Sequence, residues 1–304
     1  MNNYKPTIGI EVHLELNTDK KVFSPSKSNY SDVANTNINE IDLAYPGVLP
    51  TFNKGVLDKA ILACLGLNMN ISRIMHFDRK NYYYPDLPKG YQITQFRTPI
   101  GLDGYLTLST GKKIGISDIH IEEDTCKSLH HNGKTLLNYN RCGVPLIEIV
   151  SCADMNSKEE AMDYAERLRE TMLYLGVSDC KIEEGSMRFD VNISVSKDDT
   201  LGVRSEIKNI GSISNIGEAI DYEVESKTGN AIFNLALFGT ENNILTDDCV
   251  IQKILVPDSE TGKTRTTDYL ENVEDGTYKL CIYKNATSAN TLVKYKIYNL
   301  WLEK

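Results

Sequence analysis

Two short segments carry carboxylates and histidines at every second residue, between aliphatic residues. They are EVHLE, residues 11–15, and HIEED, residues 120–124. Successive side chains of a β-strand point to opposite faces, so this spacing places each polar set on one face of its strand. Crowded carboxylates repel one another unless a cation lies between them, and Asp and Glu are rarely buried without a partner. The pattern therefore predicts a metal site built on a sheet. The two sets are Glu11, His13 and Glu15, and His120, Glu122 and Asp124.

Two further strand-like segments add acidic residues to this prediction. Glu148 stands alone in the apolar segment GVPLIEIV, where a carboxylate needs a partner or a metal ion. In MRFDVN, Arg188, Asp190 and Asn192 alternate onto one face, and a salt bridge between neighbours is the alternative explanation. Carboxylates with one or two imidazoles suit Mg²⁺ or Mn²⁺ better than a thiolate zinc site does. A zinc hydrolase remains an alternative, although the sequence has no H-E-x-x-H segment.

The segment FDRKNYYYPDLPKGYQ, residues 77–92, is the densest group of cations and aromatic residues. Arg79, Lys80 and Lys89 lie among four tyrosines, two prolines and one glycine. Fixed cations beside a metal–carboxylate site are what phosphoryl transfer requires, because its catalysis is mostly positioning and charge neutralisation. A solvated surface loop anchored by its tyrosines explains the composition equally well. The sequence has no P-loop and no G-x-G-x-x-G segment, so a nucleotide needs a different binding cradle.

The bulk composition limits the class of protein. The chain has 304 residues, of which 41% are hydrophobic and 25% charged, as in globular proteins with a sizeable core. Its formal net charge of -9 argues against a dedicated DNA or RNA binder. No apolar run approaches the roughly 20 residues that span a bilayer, and the N-terminus lacks signal-peptide features, so we expect a cytoplasmic protein outside the membrane. Seven cysteines without a C-x-x-C pair argue against a disulfide framework or a zinc ribbon.

Periodicity predicts an α+β fold with a mostly antiparallel sheet and packed helices. Alternating segments predict strands, and capping residues followed by helical spacing predict three helices. Because the helices are interspersed irregularly among the strands, we do not expect a doubly wound sheet. We place the main domain at residues 1–255 and a short, divergent extension at residues 256–304. The predicted strands include residues 5–16, 114–122, 189–195 and 203–207, and the predicted helices cover residues 53–67, about 157–175 and 214–226.

Eight ordered segments between about residues 8 and 225 carry a resemblance to a known family. They are IGIEVHLEL, YPGVLPTFNK, FDRKNYYYPDLPKGYQITQ, IGISDIHIEEDTCK, NRCGVPLIEIV, LRETMLYLGVSD, KIEEGSMRFDVNISV and SEIKNI. Together they closely resemble the B subunit of the tRNA-dependent amidotransferases, the GatB family. These enzymes convert Glu-tRNA(Gln) or Asp-tRNA(Asn) to the corresponding amides.

The resemblance implies a glutamine-synthetase-like cradle domain in an ATP-dependent amidotransferase, a carbon–nitrogen ligase of protein biosynthesis. In such a cradle ATP phosphorylates the side-chain carboxylate of a misacylated tRNA, and ammonia then displaces the phosphate. The implied cofactors are ATP and Mg²⁺, with Mn²⁺ as the alternative ion. The residues that match the family's metal site are Glu11, His13, Glu122 and Glu148, to which we add Asp190. The expected catalytic cations are Lys80, Lys89 and Arg188, and the expected ATP contacts are Lys80, Lys89, Arg204 and Lys208.

The resemblance also implies partners, and the sequence departs from the family at two places. The partners are a GatA-like amidase subunit that supplies ammonia, a small GatC-like subunit and aminoacyl-tRNA. Family members commonly carry a zinc knuckle of two cysteine pairs, but the corresponding positions here are Ser24, Ser26, Asn39 and Asp42, so we expect no structural zinc. After the segment ETGKTRTT we expect no helical or tail domain, which weakens the expected grip on tRNA.

Three other functions stay open at this point. The first is a non-catalytic scaffold or regulatory subunit of an amidase complex. The second is an amide ligase specialised for a small acid other than aminoacyl-tRNA. A metal hydrolase that uses the same carboxylates is the third. Dependence of the activity on the predicted metal ligands separates the amidotransferase from the scaffold, and dependence on ATP separates it from the hydrolase.

Overall fold

The computed structural model describes residues 4–29, 33–131, 134–198, 200–227, 233–241, 244–255 and 278–284. The described residues form two compact units. The first is Lys5–Ile220, and the second contains the described residues from Asp221 onward.

Fourteen strands and three helices occur in the described part of the chain. The strands are β1 (Lys5–Glu15), β2 (Asn70–Ile71), β3 (Asp78–Asn81), β4 (Tyr91–Thr94), β5 (Gly101–Thr107), β6 (Lys113–Glu123), β7 (Lys127–His131), β8 (Lys134–Asn138), β9 (Pro145–Ser151), β10 (Met187–Ser196), β11 (Ser205–Ile210), β12 (Phe233–Glu241), β13 (Ile244–Leu255) and β14 (Tyr278–Lys284). The helices are α1 (Lys54–Gly66), α2 (Lys158–Tyr174) and α3 (Ile213–Lys227), and a single 3₁₀ turn covers Tyr139–Arg141.

A seven-stranded antiparallel sheet dominates the first unit. Its strand order is β11-β10-β1-β9-β6-β5-β2, so the first strand of the chain lies in the interior of the sheet between β10 and β9. Two small hairpins, β3–β4 and β7–β8, accompany it. The predicted α+β class with a mostly antiparallel sheet is confirmed.

The two faces of this sheet differ in chemistry, as the alternation along β1 predicts. Ile8, Ile10, Val12 and Leu14 are all buried, and they lie on the face opposite Glu11 and His13. Helix α2 contacts β1 and β5, and α1 contacts α2 and β5. One face is therefore apolar core, which leaves the other face to the polar side chains.

The helices begin at the polar residues that the sequence indicates. Asn53 caps α1 by accepting a hydrogen bond from the Gly55 amide at 2.9 Å, and Ser157 caps α2 by accepting one from the Glu160 amide at 3.2 Å. The Glu160 carboxylate does not return to Ser157, as it would in a regular capping box. It accepts hydrogen bonds from the Asn156 amide at 2.8 Å and the Lys112 ammonium at 2.7 Å. All three predicted helices are present.

The second unit contains a three-stranded sheet of order β13-β12-β14. Both neighbours of β12 are antiparallel to it. β14 lies in the extension predicted for residues 256–304 and pairs with β12. The compact units divide after Ile220, and the domain bounds of 1–255 and 256–304 stay a prediction.

No helix in the described part of the chain is long and apolar enough to cross a membrane. The five cysteines whose side chains are described are free thiols: Cys64, Cys126, Cys142, Cys152 and Cys180.

Candidate metal centre

A row of polar residues crosses four neighbouring strands of the large sheet. Arg188 on β10 pairs with His13 on β1, His13 pairs with Glu148 on β9, and Glu148 pairs with His120 on β6. Side chains directly opposite each other on adjacent antiparallel strands have Cβ atoms about 4.5–5.5 Å apart. The register alone therefore brings these four side chains together on the polar face.

His13, Glu122 and Glu148 form a cluster of possible metal ligands on this face. His13 Nε2 lies 3.5 Å from Glu122 Oε1 and 3.5 Å from Glu148 Oε2, and each residue offers a ligand atom within 4.8 Å of the other two. Ligand atoms at adjacent positions around a divalent ion, each roughly 2.1 Å from it, lie about 3 Å apart. The spacing and the donor types thus fit Mg²⁺ or Mn²⁺.

The electrostatics of the cluster favour a cation. Burial raises the pKa of Glu122, and the nearby Glu148 charge raises it further, against the opposing effect of His13. Burial also acts to raise the pKa of Glu148, but the His120 hydrogen bond and charge outweigh it and lower the value to about 2. The Glu122 and Glu148 carboxylates lie close together, and the Glu122 side chain is only 3% exposed, so their negative charges repel each other. A divalent ion between them relieves this repulsion.

A second acidic group adjoins the first on β1, β10 and β11. Glu11, Asp190 and Glu206 have ligand atoms within 4.8 Å of one another. Burial raises the pKa of Glu11, which the hydrogen bond from Asn192 at 2.8 Å counteracts. The Lys208 ammonium lies 2.8 Å from Glu206 and 3.9 Å from Asp190, so a lysine already compensates part of this charge. The five predicted metal ligands therefore divide into two adjoining groups.

A β-bulge in β11 lies beside this second acidic group. Between Phe189 and Val191 of β10, the opposing strand contains one extra residue, and Asn209 has a φ of 57° in the left-handed region that asparagine tolerates. The Asn209 amide donates a hydrogen bond to Asp190 at 2.7 Å. The bulge thus fixes the Asp190 side chain.

The predicted cations are placed differently from one another. Arg188 makes two contacts of 3.4 Å with the Asp124 carboxylate at the end of the row. Lys80 lies on the β3–β4 hairpin and is exposed. Burial and the two histidines have larger effects on the pKa values of Glu122 and Glu148, and the Lys80 charge acts to lower both values. Arg188 and Lys80 both lie beside the metal cluster.

Lys89 and Arg204 are not brought to the cluster in this way. The Lys89 ammonium lies 2.7 Å from Glu123, whose side chain leaves β6 on the face opposite Glu122. Arg204 is exposed and directly precedes β11.

Comparison with known proteins identifies the family. The sequence model of the GatB/GatE catalytic domain matches residues 6–283. The chain belongs to this family. The GatB/GatE match includes every residue of the polar row and both acidic groups.

Curated relatives agree with this assignment. The B subunit of the aspartyl/glutamyl-tRNA(Asn/Gln) amidotransferase of Mycoplasmopsis agalactiae is 47% identical over 281 residues, which are 88% of this chain and 57% of the relative. The proteins of the same name from Streptococcus thermophilus and Streptococcus uberis are each 51% identical over 230 residues, which are 73% of this chain and 48% of the relative. The chain thus spans about half the length of these GatB relatives.

The position at which GatB members commonly carry a zinc knuckle holds a polar cluster here. Ser24 Oγ donates a hydrogen bond to Asp42 at 2.7 Å, and the backbone amide of Asn39 donates one to Asp42 at 3.1 Å. The Lys21 ammonium lies 3.4 Å from the same carboxylate, and both side chains are buried. Burial lowers the pKa of Lys21, and Asp42 counteracts this effect. The Ser26 amide joins the cluster through a 3.4 Å contact with Ser24 Oγ.

Asp118 and Arg141 are two neighbours of the site that the sequence analysis missed. Asp118 precedes His120 by two residues on β6, so the same alternation that indicated His120 contains the signal for it. Its Oδ1 lies 3.0 Å from His120 Nδ1. Arg141 lies in the 3₁₀ turn, 3.4 Å from Asp124, and no spacing rule in the sequence connects the two.

Asp124 and Glu15 lie at the end of the polar row. Asp124 directly follows β6, exchanges backbone hydrogen bonds with Val144 and Gly143, and contacts Arg141 and Arg188, so it lies on the polar face as the alternation predicts. Burial and the Asp124 charge raise the pKa of Glu15 to about 8. Glu15 also lines a cleft of about 730 Å³, together with Asn17, Lys20, Lys27, Val144, Asp179, Lys181 and Ser186. A cleft of this volume is in the range of small-molecule sites.

Proposed function

We propose that this chain is the ATP-dependent catalytic cradle of a tRNA-dependent amidotransferase, which activates the side-chain carboxylate of Asp or Glu esterified to tRNA. The observation that carries the proposal is the convergence of His13, Glu122 and Glu148 on one face of the sheet. The family assignment and the name of the relatives support the reaction.

The reaction needs two displacements. A carboxylate oxygen of the substrate attacks the γ-phosphorus of ATP, and the bond to ADP breaks. The nitrogen of ammonia then attacks the acyl carbon, the bond to the phosphate breaks, and phosphate and a proton leave. A carboxylate is a poor acceptor for ammonia, which is why it is first converted to an acyl phosphate. A bound Mg²⁺ neutralises charge on the ATP phosphates.

Each residue of the cluster has a role in this scheme. His13, Glu122 and Glu148 would hold Mg²⁺, and Mn²⁺ suits the same donors. Lys80, on the β3–β4 hairpin, and Arg188 would supply positive charge to offset that of the phosphates. Glu11 and Asp190, with Lys208, would contribute the adjoining polar group. Lys89 and Arg204 have no direct part in this scheme.

The proposal includes partners. We assign ammonia production to a GatA-like amidase subunit, with a small GatC-like subunit as the third component. The relatives are B subunits by name, which supports membership of a multi-subunit enzyme. Aminoacyl-tRNA is the proposed acceptor substrate, and we place the enzyme in the cytoplasm.

A turnover assay tests the proposal. The chain is mixed with Mg-ATP, Glu-tRNA(Gln) or Asp-tRNA(Asn), and ammonium chloride, with and without amidase and small subunits, and ADP and the amide are measured. We expect both products from the wild type and neither from Glu122→Gln. Glu166→Gln, an exposed substitution on α2, serves as the matched control and keeps full turnover.

The other functions predict different outcomes of this assay. Equal amide formation with Glu122→Gln and wild type favours the scaffold. Metal-dependent release of the free amino acid from the tRNA without ATP, and without amide, favours a hydrolase. ADP formation with a free dicarboxylic acid but not with aminoacyl-tRNA favours a small-acid ligase.

A further inference from the structure

His120 lies between two carboxylates, and each occupies one of its ring nitrogens. Nδ1 is 3.0 Å from Asp118 Oδ1, and Nε2 is 3.0 Å from Glu148 Oε2. The His120 side chain is 11% exposed and that of Glu148 is 12% exposed, so water screens the second contact little. Asp118 is itself held, because Ser117 Oγ donates a hydrogen bond to its Oδ2 at 2.8 Å.

The two histidines of the row therefore have different capacities. An imidazole whose two nitrogens both face carboxylates has no lone pair directed at a cation. His13 Nε2, in contrast, lies 3.5 Å from a carboxylate oxygen on each of two strands, close enough for all three atoms to bind one cation. Glu148 Oε2 is common to both histidines and forms the link between them.

We propose that His120 is a positioning residue, which Asp118 holds in place and which fixes the Glu148 carboxylate so that it binds the metal ion beside His13 and Glu122. The inference rests on the proposed function, since it takes Glu148 as a ligand. Hydrogen bonds from an outer group to a ligating side chain fix its orientation and commonly change metal affinity by about 10–100-fold. His120 acts on the metal only through Glu148.

Two amide substitutions separate the two sides of the ring. The side-chain amide nitrogen of glutamine can take the position of the histidine Nε2 atom, and that of asparagine can take the position of Nδ1. His120→Gln keeps a donor for Glu148, and His120→Asn keeps one only for Asp118. Mn²⁺ affinity, measured by electron paramagnetic resonance on the chain without ATP, is the readout. Glu148→Gln removes a proposed ligand and therefore measures how much Mn²⁺ binds outside the site. His76 is an exposed histidine that is hydrogen-bonded to Thr98, and His76→Gln is the matched control.

We expect His120→Gln to bind Mn²⁺ within about 3-fold of wild type and His120→Asn to bind it about 10–100-fold more weakly. His76→Gln should bind as wild type. Wild-type affinity in His120→Asn overturns the inference. Equal weakening in both variants also overturns it, since the ring would then act otherwise than as a donor to Glu148.

A second variant keeps the test valid if His120→Asn does not fold. Asp118→Ala leaves the His120–Glu148 contact but frees the ring, and we expect Mn²⁺ affinity to fall by roughly 3–10-fold. Unchanged affinity overturns the positioning role. Failure of the proposed function gives a distinct result: wild type and Glu148→Gln would then bind Mn²⁺ equally, whatever stands at position 120.

Discussion

The Lys89 ammonium lies 2.7 Å from Glu123 Oε2, and the two side chains are only 11% and 2% exposed. Glu123 also accepts a hydrogen bond from the Ile93 amide at 2.9 Å. Its neighbour Glu122 points to the other face of β6, toward His13. Two adjacent acidic residues thus serve different purposes, one as a candidate metal ligand and the other as half of a buried ion pair.

Lys89→Met should destabilise the fold rather than weaken ATP binding. The substitution leaves Glu123 buried without its cation, which typically costs about 3–5 kcal/mol. Urea unfolding measures the loss, and ATP affinity should stay unchanged. Lys112→Met, which breaks the more exposed pair with Glu160, is the control and should cost at most about 1 kcal/mol. A stable Lys89→Met protein with weak ATP binding would return Lys89 to the nucleotide site.

Glu122→Gln should separate metal binding from folding. Wild type gains stability with increasing Mn²⁺, because an ion that binds only the folded state stabilises it by mass action. The variant should lose this dependence, while its metal-free unfolding free energy stays within about 1 kcal/mol of wild type, because a glutamine keeps the volume and removes a repelling charge. Thermal melts with and without Mn²⁺ measure both effects. A variant that fails to fold would make Glu122 a structural residue.

Arg188→Lys should lower turnover strongly although the charge is unchanged. A lysine has no planar fork to span the two oxygens of Asp124, so its ammonium takes a different position. We expect kcat to fall by about 10²-fold, the magnitude typical of losing one oriented charge-stabilising donor. Steady-state kinetics at saturating ATP measure this effect. Unchanged kcat would place Arg188 outside the reaction.

The folding of residues 24–42, which correspond to the family's zinc knuckle, should not depend on zinc because the Lys21–Asp42 cluster replaces it. Asp42→Asn leaves the fully buried Lys21 without its counter-ion, so we expect a loss of about 3–5 kcal/mol in urea unfolding. The purified wild type should contain substoichiometric zinc by elemental analysis, and a zinc chelator should leave its melting temperature unchanged. Stoichiometric zinc would contradict the prediction.

The strand alternation predicted which polar side chains share a face in the candidate metal centre, because a period of two assigns faces without knowledge of the fold. It correctly placed Glu11 and His13 on one face of β1, and His120 and Glu122 on one face of β6. It could not state which strands are neighbours. The register that sets His13 opposite both Arg188 and Glu148 depends on pairings between segments more than 130 residues apart.

The alternation also placed Asp124 on the polar face, where it contacts Arg188. It gave no information about side chains in loops. Lys89 lies in a loop, where the sequence gives no period and thus no face. Its partner Glu123 was hidden among neighbouring acids of similar appearance. The polar cluster around Asp42 was visible only as missing cysteines, since its hydrogen bonds depend on a folded loop.

The interior position of β1 has a consequence for biosynthesis. β1 leaves the ribosome well before its two hydrogen-bonding neighbours, which begin at Pro145 and Met187. During translation the nascent segment must wait, with both edges unpaired, until those later strands emerge. Pairings of such long sequence separation form slowly and expose strand edges to aggregation. The nascent chain is thus expected to depend on protection by chaperones until β9 and β10 have been made.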